Sequence, residues 1–526
     1  MGNRQHGKYK KRSKSVITNR YGTIQKRKGR PKKTVQATCT QPNASHATSS
    51  GTEKTSASKR KLHNIRPNSC PSKDFSAASG YRFMDMDIIS NILNKYATCP
   101  LCSCELTLME NSKLRRGFAS VLHLKCENCY FSDTFSISQK ILGEGKGDKP
   151  FEVNRRATMA FREIGKGHGA MTRFCAVMDM PSPPGKASLT KHNKALQDAY
   201  KDEAELSMNK AAQAVRDKFG GECGVSVDGT WQRRGYSSIN GVVTAIELET
   251  GKILDYECLT RICKGCQHWS SKDQTSTEYL KWKADHKCHI SHEGSAASME
   301  PVGAKRIWNR SVANRNLKYT SKYIGDGDTK SYSAVCNDKP YGHIPVIKKE
   351  CRIATITHDA LLEVRVGADS IGTKLMAPTH TSILMAVVKE LKPIYDDLTK
   401  DELIERCVDC YTQNANESFN GMIWQRIPKE THAGAMTLDI GVASATLAFN
   451  DGMQALLGVL QRQNMNPGTH TTENLKKLDE IRIQNAERQT SDKSIKRRKT
   501  LRRIKKGYED KHLENEGVIY DPGMGD

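Results

Sequence analysis

Three acidic positions carry side chains that could act together on metal ions. Asp228 ends a predicted strand, because apolar and polar residues alternate from Gly224 onward. A second predicted strand, 318–324, runs into the sequence Gly325-Asp326-Gly327-Asp328, and Glu417 lies in the first turn of a predicted helix. Carboxylate oxygens suit Mg²⁺ or Mn²⁺. Three carboxylates can hold two ions roughly 3.5–4 Å apart, which activate an attacking water or 3′-hydroxyl and stabilise the leaving oxygen.

Each of these acids also has a purely structural explanation. Asp228 could cap a turn, and an acid in the first turn of a helix, such as Glu417, is favoured by the helix dipole. Strand alternation places Asp326 and Asp328 on the same side, so the pattern does not choose between them. Two acidic strand ends and an acidic helix face, which Glu417 shares with Asn420, together favour the catalytic interpretation.

Two pairs of cysteines have the spacing of a structural zinc site. The pairs Cys99–Cys102 and Cys126–Cys129 are separated by a segment, 117–126, whose alternation predicts a strand. Two CxxC pairs on hairpins can place four thiolates tetrahedrally around one Zn²⁺, and the metal then stabilises a segment too small to fold alone. Cys104 and His123 are nearby substitutes that we do not assign as ligands.

A second group of cysteines and histidines lies between residues 258 and 292. We predict a Cys₃His zinc site there, with the ligands Cys263, Cys266, Cys288 and His292. His286 is the alternative fourth ligand, because it stands two residues before Cys288. The spacing of this group is looser than that of the first group.

The composition indicates a polyanionic partner. The chain has 526 residues, a formal net charge of +25 and a pI near 9.3. Such a basic chain of this length favours several domains and a nucleic acid partner. We find no run long and apolar enough to span a bilayer and no apolar core of a secretion signal. In a reducing compartment, the 17 cysteines indicate metal sites and core thiols, and not disulfides.

Both ends of the chain are basic. Met1–Lys33 carries thirteen Lys or Arg residues and no acid, which predicts disorder. Its segment KRKGRPKK resembles an AT-hook, which inserts Arg into an A·T minor groove, and it also fits a nuclear-import signal. Residues 495–506, IKRRKTLRRIKK, predict a basic helix that is either solvated or in contact with phosphates. The side chains that we expect to contact DNA are Arg27, Arg30, Lys32, Arg497, Arg498, Arg502 and Arg503.

These features predict five segments in an α/β protein. A basic disordered tail (1–80) precedes a zinc ribbon (81–145). A helical region (146–220) follows, which could bind DNA or serve only for packing. Residues 221–462 are predicted to form an RNase H-like catalytic core with the Cys/His insert at 258–292, and 463–526 a basic helical tail. The RNase H-like assignment rests on the order of the acids, with Asp on two strands and Glu on a later helix.

Several segments together resemble the Mutator-like transposase domain of animal DNA transposons. They are VSVDGTWQRRGYSSINGVV, HKCHISHEGSAASME, YIGDGDTKSYSAVCNDKPYGHIPVIKKEC, TQNANESFNGMIWQR and VIYDPGMGD, and the resemblance extends from about Tyr81 to the C-terminus. The resemblance implies a DDE triad of Asp228, Asp326 and Glu417, and it selects Asp326 over Asp328. It also implies Mg²⁺- or Mn²⁺-dependent cleavage and strand transfer on double-stranded DNA at transposon ends, a homo-oligomer and a nuclear location.

One segment departs from the family pattern. In the family, the sequence that ends here at Cys351 is followed closely by a histidine, in a C-x₂-H element, whereas the next histidine in this chain is His358. Residues 352–385 match the pattern poorly, which favours a second hypothesis, a catalytically inactive, transposon-derived DNA-binding zinc protein. The intact triad favours an active DDE transposase. A third hypothesis is a zinc-ribbon nucleic-acid adaptor without an active site.

Overall fold

A computed structural model defines the fold. It describes residues 56–62, 78–143, 149–233, 237–325, 329–350, 411–429 and 433–516. Contacts between Cα atoms divide the chain into the units Met1–Lys54 and Thr55–Asp526, and all described residues belong to the second. Some of the predicted features lie outside the described residues. They are the N-terminal basic run with Arg27, Arg30 and Lys32, the acids Asp326 and Asp328, and the segment 352–385.

The first described elements are two helices and a small antiparallel sheet. Helix α1 spans Ala57–Lys61 and α2 spans Met86–Tyr96. The strands lie in the order β1-β2-β3, with β1 at Leu106–Glu110, β2 at Val121–Cys126 and β3 at Ser132–Ser136. Leu106 pairs with Cys126, so the sheet brings the first CxxC pair beside the second. Cys99, Leu106 and Cys126 form its buried apolar cluster, and Ala119 and Leu122 are also buried.

Three helices follow the small sheet. They are α3 (Glu152–Glu163), α4 (His168–Val177) and the long α5 (Lys186–Phe219). Pro181, Pro183 and Pro184 separate α4 from α5, because proline disrupts the helical hydrogen-bond pattern. Tyr200 of α5 is fully buried, and its hydroxyl donates a 2.5 Å hydrogen bond to Glu163 of α3.

A five-stranded mixed sheet follows α5. Its strands are β4 (Glu222–Trp231), β5 (Asn240–Glu247), β6 (Ile253–Thr260), β7 (Lys318–Gly325) and β8 (Lys348–Glu350). The strands lie in the order β6-β5-β4-β7-β8. Neighbours among β4, β5 and β6 are antiparallel, whereas β4 with β7 and β7 with β8 are parallel. The central strand is therefore β4.

The strand that carries Asp228 is longer than the sequence pattern predicted. Asp228 lies inside β4 and not at its end, because β4 continues to pair with β5 as far as Trp231 opposite Gly241. The pairing of β4 with β7 stops earlier, at Ser226 opposite Ile324. At Asp228, β4 is therefore still paired with β5 on one side. The last described pair of β4 with β7, on the other side, lies two residues earlier.

Helices cover both faces of this sheet. Between β6 and β8 lie α6 (Lys264–Ser270), α7 (Thr277–Asp285), α8 (Met299–Arg315) and α9 (Thr329–Asp338). The C-terminal helices are α10 (Asn414–Arg426), α11 (Ala435–Asn450), α12 (Leu456–Arg462), α13 (Thr469–Thr490) and α14 (Asp492–Glu516). A short 3₁₀-helix, Met453–Ala455, precedes α12.

The core has apolar layers on both sides of the sheet. On one face, Val225 of β4 belongs to a buried cluster with Trp308 of α8. On the other face, Val242 of β5 belongs to a cluster with Phe419 of α10 and Phe449 of α11. The predicted mixed α/β class is confirmed by this arrangement. None of the helices in the described ranges combines the length and hydrophobicity needed to cross a membrane.

Candidate active site and metal centres

One face of β4 presents polar side chains to α10. Ser226, Asp228 and Thr230 alternate with the apolar residues of the strand, so they share one face. Ser226 and Thr230 are buried and Asp228 is partly exposed. The hydrophobic effect alone does not explain this row, because a central strand normally carries apolar residues on both faces. The polar row indicates a site between β4 and α10.

A row of hydrogen-bond donors on α10 matches this polar face. Asn416 donates from Nδ2 to the carbonyl oxygen of Ser226 at 3.4 Å, and the indole N–H of Trp424 donates to Thr230 Oγ1 at 2.8 Å. Gln413, which precedes the first turn, donates from Nε2 to the carbonyl oxygen of Val227 at 3.1 Å. These bonds fix the position of α10 along β4.

Asp228 receives the shortest of these bonds. Asn420 donates from Nδ2 to Oδ2 of Asp228 at 2.6 Å. The other amide atom, Oδ1 of Asn420, is buried and has no hydrogen-bond partner among the described residues. If the side-chain amide of Asn420 were flipped, its oxygen would face the carboxylate of Asp228, and two acceptors would repel each other. The charge of Asp228 therefore sets the orientation of Asn420. Asn420 in turn holds one carboxylate oxygen of Asp228 in a fixed position.

Glu417 lies on the same helix, one turn before Asn420. It follows Asn416 directly, and its side chain is exposed, whereas Asn416 is fully buried against the strand. Glu417 therefore lies at the exposed edge of the α10 face that contacts β4. The structure thus brings the helix that carries Glu417 onto the strand that carries Asp228.

The remaining acid of the predicted triad adjoins β7. Gly325 is the last residue of β7, and Asp326 follows it directly in the sequence. Asp326 and Asp328 both lie outside the described residues. The described part of β7 is parallel to β4 and pairs Ile324 with Ser226, so β7 runs toward the same edge as Asp228.

A further acid, Glu300, lies on the other face of β4. The sequence pattern did not single it out. A β-carbon at Gly229 would lie 2.7 Å from Oε2 of Glu300, in the first turn of α8. Ser331 donates to Oε1 of the same carboxylate at 3.0 Å. Gly229 is therefore needed for the close approach of Glu300. In the sequence, only the glycine of the Asp228-Gly229 pair indicated a close contact. Such a pair predicts a turn equally well.

The first cysteine group comes together as predicted from its spacing. The sulfurs of Cys99, Cys102, Cys126 and Cys129 all lie within 4.8 Å of one another. Backbone amides support the thiols, since Leu101 N–H points at the sulfur of Cys99 at 3.4 Å. The backbone N–H of Cys104 lowers the pKa of Cys102 to about 6, which favours the thiolate that zinc binds. This geometry suits the tetrahedral S₄ coordination of Zn²⁺.

The two nearby residues that we did not assign as zinc ligands are not members of this group. The ring nitrogens of His123 contact Thr134 Oγ1 at 2.9 Å and Asn111 Nδ2 at 3.3 Å. Cys104 lies beside the group, and its pKa is raised, chiefly by its hydrogen bond with Cys102. His123 is therefore engaged by other side chains, and Cys104 stays outside the group.

The second group contains a different histidine from the one we preferred. Cys263, Cys266 and Cys288 come together with His286, again with all ligand atoms within 4.8 Å. His286 Nε2 lies 3.2 Å from the sulfur of Cys266. The structure does not bring His292 into this group. Its Nε2 instead contacts Ser298 Oγ at 2.9 Å, next to the start of α8.

Helix α7 explains why His286 is the histidine at the thiols. Helix α7 ends at Asp285, so His286 follows directly at the helix end, beside α6. The ring of Trp282 stacks on His286 with the centroids 4.2 Å apart, and Trp269 of α6 stacks on Trp282 at 5.5 Å. These stacks fix the imidazole plane. Both Cys-rich groups could therefore bind zinc.

We expect the two histidines to differ in zinc binding. The wild-type chain should retain about two Zn²⁺ after dialysis against a weak chelator, because each group offers four ligands. Replacing His286 with Ala should lower this to about one, whereas His292→Ala should retain both. Elemental analysis by mass spectrometry measures the stoichiometry. Loss of zinc in His292→Ala with retention in His286→Ala would contradict the assignment.

The predicted basic tail lies on the last helix. Arg497, Arg498, Arg502 and Arg503 all belong to α14 and are exposed. Arg498 also donates to the carbonyl oxygen of Gln489 at 2.8 Å, next to the junction of α13 and α14. Exposed guanidinium groups on one helix are accessible to phosphates.

The fold and sites define a mixed α/β protein with two Cys-rich groups that could bind zinc and a polar, acid-bearing face on its central strand. Comparison with protein families then identifies the chain. A sequence model of the family described as "Mutator-like transposase" matches residues 80–357, more than half of the chain. The chain therefore belongs to the Mutator-like transposase family, and the predicted resemblance is confirmed over residues 80–357. The comparison with curated proteins found no match.

Proposed function

We propose that this chain is a DDE transposase that nicks DNA at transposon terminal repeats and then transfers the freed 3′-hydroxyl to target DNA. Asp228, Asp326 and Glu417 are the proposed catalytic carboxylates. The observation that carries the proposal is the contact between β4 and α10. In this contact Asn420 of α10 donates to Asp228 of β4, and α10 also bears Glu417. Membership of the family supports the same reaction.

The strand order supports an RNase H-like core. Three successive antiparallel strands, β4, β5 and β6, are followed by β7 and β8, which add in parallel on the other side of β4. This order places Asp228 on the central strand. We propose the five segments 1–80, 81–145, 146–220, 221–462 and 463–526 as the domain division around this core.

The spacing along the two parallel strands supports Asp326 as the second acid. Ser226 and Ile324 are paired, and Asp228 and Asp326 each follow their paired residue by two positions in the sequence. Asp328 follows by four positions, beyond Gly327. Asp326 is therefore the acid that matches Asp228 in position.

The proposed cofactor is Mg²⁺ or Mn²⁺, because the three candidate ligands are carboxylates. Such ions, when bound, would activate the attacking oxygen and stabilise the leaving oxygen. The chain supplies the orientation. Asn420 holds Oδ2 of Asp228 in position, and the exposed Glu417 lies at the edge of the same helix, α10.

The proposed partner is double-stranded DNA, comprising transposon ends and target, in the nucleus. The net charge of +25 supports binding through phosphates, which is largely independent of sequence. The arginines of α14 and the N-terminal run with Arg27, Arg30 and Lys32 are the proposed phosphate contacts. Zn²⁺ at the two Cys-rich centres is proposed to have a structural role.

Cleavage of a defined duplex tests the proposed function. The purified full chain should nick a labelled duplex carrying the terminal repeat of its own element in Mg²⁺ or Mn²⁺. Ca²⁺ should support binding without nicking, and a duplex with a scrambled repeat serves as the control substrate. Binding without nicking in both Mg²⁺ and Mn²⁺ would contradict the transposase proposal.

That negative outcome would support the second candidate, a catalytically inactive DNA-binding zinc protein. The observation that favours this candidate is the atypical segment 352–385, where the next histidine after Cys351 lies at His358. The C-x₂-H element of the family is therefore not preserved in this chain. The two candidates share DNA binding and differ in cleavage alone.

We expect Asn420→Ala to weaken the metal dependence of nicking more than it weakens DNA binding. Without the amide, Oδ2 of Asp228 loses its 2.6 Å bond, and the carboxylate is oriented less firmly. Loss of a group that orients a metal ligand typically costs 10–100-fold in metal affinity or activity. The Mn²⁺ concentration for half-maximal nicking should therefore rise about 10-fold or more.

Gln413→Ala is the matched control for this prediction. Gln413 also donates to β4, but to the backbone oxygen of Val227 and not to a carboxylate. It should leave the Mn²⁺ dependence close to that of the wild type. If Asn420→Ala lowers the melting temperature and leaves the Mn²⁺ dependence unchanged, Asn420 has a purely structural role.

A further inference from the structure

Helix α2 has an apolar face that no described residue covers. Ile88, Ile92 and Tyr96 follow one another at intervals of four residues, so they lie along one side of the helix. Their exposed fractions are 57%, 49% and 72%, and Met84, just before the helix, is 64% exposed. The opposite side, with Ile89 and Leu93, is partly buried. Large apolar side chains clustered in this way mark an interaction surface.

The charges beside this face do not suit a nucleic acid. From Asp85 to Tyr96 the chain carries Asp85, Asp87 and Lys95, and so has one more acid than base, although the whole chain has a net charge of +25. A DNA backbone would meet two carboxylates at the start of the helix. The face therefore fits a protein partner.

The sequence of α2 is complementary to itself in the antiparallel direction. Ile88 and Ile92 lie two residues on either side of Ser90, and Met84 and Tyr96 lie six residues on either side. With a two-fold axis level with Ser90, Ile88 of one copy meets Ile92 of the other. A two-fold interface requires such reciprocal contacts.

The same axis pairs the charges at the two ends of the face. Asp85 and Lys95 lie five residues on either side of Ser90, so each aspartate would meet the lysine of the other copy. Within the described residues, neither Asp85 nor Lys95 forms an ion pair. Asp85 caps α2 by accepting from the backbone N–H of Asp87 at 2.9 Å, so its position is fixed. The complementarity is thus both apolar and electrostatic.

We propose that the exposed face of α2 is a two-fold interface between two copies of this chain. The two helices would lie antiparallel, with the isoleucines at the centre and the Asp85–Lys95 pairs at the rim. This proposal does not depend on the proposed catalytic function. One helix from each copy makes a small interface, so we expect dissociation in the micromolar range.

Sedimentation of the nuclease-treated full chain, in the absence of DNA, tests the interface. The wild type should pass from monomer to dimer as its concentration rises. Ile88→Asp should weaken the dimer at least 10-fold, because it places a carboxylate at the apolar centre. Leu280→Asp is the matched control, since Leu280 has nearly the same exposed fraction, 56%, and lies on α7. It should leave the dimer unchanged.

Charge reversal provides a test that keeps the apolar face intact. Asp85→Lys alone and Lys95→Asp alone should each weaken the dimer, because like charges then meet at the rim. The double variant should restore it. Circular dichroism verifies that each variant is folded. A chain that stays monomeric at 100 µM, or a dimer that Ile88→Asp and the single reversals leave unchanged, overturns the proposal.

Discussion

Replacing Asp228 with Asn should abolish Mg²⁺-dependent nicking of a terminal-repeat duplex and leave duplex binding close to that of the wild type. The substitution keeps the size of the side chain but removes the charge that Asn420 contacts at 2.6 Å. Carboxylates that hold metal ions contribute several kcal/mol of transition-state stabilisation. We therefore expect a rate loss of about 1,000-fold or more, which corresponds to about 4 kcal/mol.

The other two proposed carboxylates should behave in the same way. Asp326→Asn and Glu417→Gln should each eliminate nicking, because two ions require all three acids. Asp328→Asn is the matched control, since Asp328 is a neighbouring acid in the same GDGD sequence and lies beyond Gly327. It should retain nicking at a rate close to the wild type.

Fluorescence anisotropy with the same duplex separates chemistry from binding. Binding rests mainly on Lys and Arg contacts to phosphates, so the four variants should bind within about 2-fold of the wild type. A nicking rate that survives in Glu417→Gln would remove Glu417 from the triad. Loss of nicking in Asp328→Asn with retention in Asp326→Asn would assign the catalytic role to Asp328 in place of Asp326.

Local patterns were sufficient to predict the position of β4 and the convergence of the first cysteine group. The alternation from Gly224 predicted β4, because a half-buried strand repeats every two residues. The spacing of Cys99–Cys102 and Cys126–Cys129 predicted their convergence, since each pair is rigid and β2 leads directly into the second. In both cases the relevant contacts are close in the sequence.

Contacts between distant segments were not predictable in the same way. The sequence preferred His292 over His286, because spacing does not reveal that α7 carries His286 back to α6, or that His292 contacts Ser298. The bond between Asn420 and Asp228 joins residues 192 positions apart. Likewise, the pairing of β4 with β5, which extends β4 beyond Asp228, depends on tertiary structure and not on local alternation.

Removing the metal from the first cysteine group should unfold the small sheet and leave the rest of the chain folded. Of the five buried apolar residues between 86 and 136, Cys99 and Cys126 are themselves members of the metal group, and they form one cluster with Leu106, so little core remains without the ion. Structural zinc contributes about 10–16 kcal/mol of apparent binding free energy in small zinc domains. This is as large as the stability of a whole domain, about 5–15 kcal/mol.

Cys126→Ala should therefore abolish the protection of the amides between residues 86 and 136 in hydrogen exchange on the full chain. The amides of β4 and β5 should stay protected, since the central sheet has its own buried core. A membrane-permeant zinc chelator should have the same effect on the small sheet of the wild type. Cys104→Ala is the matched control, because Cys104 lies beside the group without belonging to it. If β1 and β2 keep their protection in Cys126→Ala, packing and not the metal stabilises this sheet.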